Sequence, residues 1–174
     1  MKKYIRILVL ALAGTVVLSA CGPSEEEKQK AAAAAAAAEA AKPVPAPAAN
    51  AGKAAWQNYL ARTVMQNMQG VKTNHPYMYF VPGGDDQEAQ DARKNQLDNV
   101  SGTVARGVLP GNMMAFGGPD SKLTGDLVVE AFKSAQDGSF KNVVVLFVGA
   151  TADQDRVKDG VAKSGADFRF VEMK

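Results

Sequence analysis

Three glycine- and aspartate-bearing stretches hold the residue types from which a binding or catalytic site is built. They are Pro82-Gly83-Gly84-Asp85-Asp86, Gly117-Gly118-Pro119-Asp120-Ser121-Lys122 and Gly149-Ala150-Thr151-Ala152-Asp153. Glycines admit close backbone approach, and the N-termini of the helices that follow present free N–H groups to an anion. Asp85, Asp86 and Asp153 together could hold a divalent cation, whereas the same charges would repel an anion arriving without one. The glycine spacing matches neither the dinucleotide fingerprint nor the P-loop, so no cofactor is implied. No His/Cys/Asp cluster has zinc-ligand spacing. His75, the only histidine, precedes Pro76 with no nucleophile at a recognisable spacing, and Ser121 lacks a Gly-x-Ser-x-Gly elbow. A capping or surface role for His75 is the plainer reading. The same holds for the three stretches, since any strand-to-helix turn needs small residues and an Asp, Ser or Thr cap.

These stretches fall at regular places in an alternating pattern. Trp56, Leu60, Val64, Met68 and Val71 recur at helical spacing, ending near Gly70, and predict a helix whose stripe packs on a core. Should that Met-rich helix prove exposed, its methionines would make it a contact surface. Residues 77–81 form an apolar run that reads as a strand. A helix follows, capped by Asp85 or Asp86 and carrying Ala89, Ala92, Leu97, Val100 and Val104. Residues 113–116 predict a second strand, followed by a helix with Leu127, Val128, Ala131, Phe132 and Ala135. Residues 143–148 make the strongest strand, and a helix with Val157 and Val161 leads to a last, charge-interrupted strand over 167–172.

Strands separated by helices predict an α/β class: one three-layer domain with a four-stranded, mostly parallel sheet. Strands one and three lack polar residues and the fourth mixes Phe168 and Phe170 with Arg169 and Glu172. That pattern suggests the order 2-1-3-4, with strands one and three inside and four at an edge. In such a sheet ligands bind at the switch point beyond the strand C-termini, between the loops after strands one and three. Gly83, Gly84, Asp85, Asp86, Asp120, Ser121, Thr151 and Asp153 are therefore the candidate ligand-binding residues.

The first 53 residues have a different character. Lys2, Lys3 and Arg6 precede a short apolar run ending at Leu18-Ser19-Ala20-Cys21, and Cys21 is the only cysteine. A basic start, about 12 to 14 apolar residues and small residues at a cleavage point are the parts of a secretory signal. The run is too short for a membrane-spanning helix, which needs roughly 20 residues. This tetrapeptide resembles the lipobox of bacterial lipoprotein precursors, a resemblance that covers about the first 22 residues. It implies a thioether-linked diacylglycerol on Cys21, removal of residues 1–20 and acylation of the new N-terminus. Gly22, in place of the aspartate that tends to retain Gram-negative lipoproteins in the inner membrane, points to the outer membrane. Anchorage of this kind needs more than one acyl chain and no apolar protein surface.

Residues 21–53 read as the lipidated cysteine and a tether: Ser24 with Glu25–Glu27 as a capping start, an alanine run over 31–38, then Pro43-Val44-Pro45-Ala46-Pro47. Alanine all round favours helix without a stripe to dock, and alternating proline favours extended chain. Residues 54–174 form the globular domain, enough for one core and too few for two. Removing Lys2, Lys3 and Arg6 leaves 17 basic residues against 18 acidic ones. That balance argues against nucleic acid as a partner. One lipid-modified cysteine also leaves no intrachain disulfide.

The expected function is thus a membrane-anchored envelope lipoprotein on the periplasmic side of the outer membrane. Its α/β domain would bind or scaffold another envelope component, more as a docking module than as an enzyme. The alternative is a ligand-binding or enzymatic domain using the loops at Gly83–Asp86 and Gly149–Asp153.

Overall fold

In a computed structural model of the chain, residues 28–30 and 44–174 are described. Cys21, the lipobox, the Ser24–Glu27 start, the alanine run and Pro43 lie outside the described residues. Elements from residue 44 onward are α1 (Lys53–Gln66), β1 (Tyr77–Phe80), α2 (Gln87–Arg106), β2 (Met113–Gly117), α3 (Ser121–Phe132), β3 (Val144–Gly149), α4 (Thr151–Ala162) and β4 (Asp167–Glu172). Among the described residues no helix is long and apolar enough to cross a membrane.

The four strands form one sheet, parallel throughout, so the α/β class and its layers are as the periodicity predicts. Period-2 alternation divides the strand side chains between two cores. Met114, Phe116, Val145 and Phe147 face α2, α3 and α4, meeting Val100, Val104, Leu127, Val128, Phe132, Val157 and Val161. Met113, Ala115, Val144, Leu146 and Val148 face α1, meeting Trp56, Tyr59, Leu60 and Val64. Among the described residues, three helices thus cover one face and a single helix the other. The predicted stripe is core, but the helix stops at Gln66, short of Gly70: Trp56, Leu60 and Val64 of α1 are buried, and Met68 and Val71 pack beside them from the segment after the helix. Val44, Ala46 and Ala51 pack on the same face, so residues placed in the tether by composition belong to the folded body. The Ala46 N–H donates to Lys174 O at 2.6 Å and the Trp56 indole N–H to Ala48 O at 3.2 Å.

The sheet order corrects the prediction. It runs β1-β2-β3-β4, not 2-1-3-4. The apolar test did not separate strand one from strand two, because both lack charge. Burial does separate them: every residue of β2 and β3 is buried, whereas Tyr77 and Met78 of β1 are 44% and 49% exposed. Right-handed crossovers that step one strand at a time put all their helices on one face. Reversing direction after the first crossover, as 2-1-3-4 demands, would have carried α2 to the face that α1 already covers.

Candidate functional site

A sheet that advances in one direction has no switch point, so the crevice expected between the loops after β1 and β3 does not form. The β2 loop lies between them. Val81 N–H donates to Gly117 O at 2.9 Å, and a Cβ on Gly118 would stand 2.0 Å from Val81 O. Only glycine lets these two loops pass so closely.

The eight candidate residues separate into three settings. Gly83, Gly84, Asp86 and Asp120 line a cleft of about 580 Å3 between the β1 and β2 loops and the segment before α1, where Asn50 and Lys53 join them. Both aspartates there are helix caps. Asp86 Oδ1 accepts the Ala89 N–H and Asp120 Oδ1 the Leu123 N–H, each at 2.9 Å. Each satisfies an N–H that its helix leaves unpaired. The loop itself is held by Arg93, whose Nη1 donates to Pro82 O at 3.1 Å and Gly84 O at 2.7 Å. Asp85 is exposed at the loop tip.

Ser121 and Asp153 form the second setting, across the β2 and β3 loops. The Ser121 hydroxyl donates to Asp153 Oδ2 at 2.5 Å and accepts the Ala150 N–H at 2.7 Å. Arg156 fills the other carboxylate oxygen, with Nε and Nη2 on Asp153 Oδ1 at 2.9 and 2.8 Å. The same guanidinium reaches Asp126 Oδ1 at 2.8 Å and Lys122 O at 3.0 Å, lying across Gly125, where a Cβ would meet Nη2 at 2.7 Å. Burial pushes the Asp153 carboxyl up, but the Ser121 hydroxyl and then Arg156 outweigh it and hold the carboxyl below its ordinary value. The hydroxyl and carboxylate that could do chemistry are bonded to one another and to a cation.

Thr151 stands apart as the third setting, its hydroxyl donating to Glu172 Oε1 at 2.8 Å on β4. The Lys174 ammonium, and next this hydroxyl, lower the Glu172 carboxyl. The three aspartates considered for a cation are not brought together, and among the described residues no group of three or more His, Cys, Asp or Glu side chains could hold a metal ion. His75 is exposed, its own N–H donating to Thr73 Oγ1 at 3.1 Å. Arg93 and Arg156, which tie the loops, escaped the sequence reading. The Asp153–Arg156 pair has the i,i+3 spacing of neighbours on one helix, but the contacts to Gly84, Pro82, Asp126 and Lys122 lie 9 to 34 residues away and no local pattern announces them.

No protein-family model, curated protein or solved structure matches the chain. Function therefore rests on the lipobox resemblance and on the geometry of the domain.

Proposed function

We propose that this protein is an envelope lipoprotein, held by lipid on Cys21 at the periplasmic face of the outer membrane, whose α/β domain is a non-catalytic docking module for another envelope component. The lipobox motivates the address. The observation that carries the docking role is the free edge of β1. Its sequence Tyr77-Met78-Tyr79-Phe80 has no charge, and its outer edge pairs with no other strand among the described residues. Natural sheets usually guard such an edge with charge, as β4 does with Asp167, Arg169 and Glu172. Beside the β1 edge runs a groove of about 290 Å3, walled by Lys53 and Gln57 of α1 and by Gln96 and Asn99 of α2. Unpaired backbone at its floor and amides on its walls suit one extended segment of a partner protein, added as a fifth strand. A second copy of this chain would have to bring its own flanking helices against these.

The test is a photo-cross-linker placed at Gln57, on the wall of the groove, in the lipidated protein, with co-purification from solubilised envelope. A discrete adduct to one other envelope protein, lost in the Tyr77→Lys/Met78→Lys double variant, is the expected result. A self-adduct, or undiminished co-purification by the double variant, would overturn docking at this edge.

One observation favours a second reading, in which the domain binds a small ligand: the 580 Å3 cleft gathers four of the eight candidate residues. Thermal shift of the protein against nucleotides, sugars and divalent ions reads this out. A shift of several degrees that Asp86→Ala removes would support it, and a flat response to all would discard it.

A further inference from the structure

At the end of the sheet opposite the strand-to-helix loops lies a second cleft, of about 740 Å3, lined by Lys72, Lys141, Arg169 and Asp167 with Gly111 and Gly165. We propose that it binds a phosphate group, with Lys72 and Lys141 as the two charges that hold it. The balance of charge points that way. Arg169 is committed within the fold, donating from Nη2 to Asp167 Oδ2 at 2.9 Å and from Nη1 to Asn67 O at 2.7 Å. Asp167, the one carboxylate in the cleft, is thereby neutralised. On the same end Lys133 is paired with Glu130, and Lys163 with Asp137 at 3.1 Å. Among the described residues the Lys72 and Lys141 ammonium groups make no hydrogen bond or ion pair. Two uncompensated ammonium groups in one concave site raise the local concentration of anions, and a lysine holds phosphate as a point charge.

The two lysines are also placed by backbone that cannot readily drift. Lys72 N–H donates to Gly111 O at 2.8 Å, and Gly111 N–H donates to Asn142 O at 2.6 Å, beside Lys141. Both stems lie against glycines in the left-handed region. Lys72 passes where a Cβ of Gly111 (φ +87°) would stand at 3.1 Å, and Lys141 where one of Gly165 (φ +74°) would stand at 3.4 Å. The Phe140 N–H to Ser164 O bond, at 2.8 Å, ties the Lys141 loop to the chain entering β4. Roots fixed on neighbouring loops lower the entropy that two flexible side chains lose on closing around one ligand. This site does not depend on docking at β1, whose groove shares none of its lining residues.

A phosphate here could belong to a soluble ester or to a phospholipid headgroup, and the experiment separates them. The mature chain carrying Cys21→Ser is titrated with inorganic phosphate and with glycerol phosphate while amide resonances are followed, holding ionic strength constant with chloride. It is separately sedimented with vesicles of phosphatidylglycerol or of phosphatidylcholine. Shifts saturating at millimolar phosphate on Gly111, Asn142 and Gly165, weakened at least tenfold in Lys72→Gln/Lys141→Gln with unchanged Tm, are expected. Phosphatidylglycerol binding that the double variant loses would assign a headgroup; titration without vesicle binding would assign a soluble ester. Shifts reproduced by chloride alone, or unaltered in the double variant, would overturn the site.

Discussion

Asp153 shows at residue scale how a side chain suited to chemistry is spent on structure. Its two oxygens are taken by Ser121 and Arg156, which fastens the β2 loop, the β3 loop and α4 to one another. Charge-assisted bonds of this kind contribute about 1.5–3 kcal/mol where they are shielded from water, and the Asp153 side chain is only 14% exposed. Asp153→Asn keeps the shape and removes the charge, so it should cost about 1–3 kcal/mol in urea unfolding at pH 7. The sign of the pH dependence follows from the lowered carboxyl. The stabilisation is fully present above the ordinary value of 3.8 and is lost as pH falls through the lower folded-state value. The gap between parent and variant should therefore close below about pH 4, checked by unfolding across that range. A gap that stayed constant with pH would mean the charge contributes nothing.

Among the described elements, α1 has no neighbouring helix to share its face of the sheet. Its help comes from the segment before it: Val44, Ala46 and Ala51 on the core, and backbone and indole bonds from Ala46 and Trp56. A protein truncated to begin at residue 54 loses these, and should be less stable than one beginning at residue 44 by about 2 kcal/mol, roughly 5–10 °C in Tm. Equal melting of the two truncations by calorimetry would show the segment to be passive. The two edge strands differ for a related reason. β4 carries charge along its exposed side and resists further pairing, while β1 relies on the helices α1 and α2 on either side of its groove.

For the whole molecule, direction of travel across the sheet decides what kind of site is available. Because β1 to β4 follow one another without reversal, three crossover helices share a face and the strand C-termini close over with loop contacts. The chain enters the folded body at that same rim, where Ala46 meets Lys174. If docking needs reach from the membrane, deleting residues 24–42 while keeping Cys21 should leave Tm unchanged and abolish co-purification of the partner from envelope. Retained partner with the tether gone would separate docking from reach. The address is tested by mass spectrometry of the mature polypeptide, where a triacylated Cys21 at the N-terminus is expected and an unmodified thiol would remove it.

The class, the eight elements from α1 to β4 and the helix-capping aspartates could be read from residue order, because periodicity and capping are local and act within a few residues. The lipobox expectation for Cys21 is equally local. Sheet order is not: Tyr77-Met78-Tyr79-Phe80 and Met113-Met114-Ala115-Phe116 are alike in polarity, and only the covering of one face by α1 made the first an edge and the second a centre. The same tertiary choice bonded Ser121 to Asp153 instead of leaving them facing a crevice. It also brought Lys72 and Lys141, 69 positions apart in number, to one cleft. Charges that distant meet only through backbone contacts made after the strands have chosen their neighbours, so the folded sheet alone could decide which residues share a site.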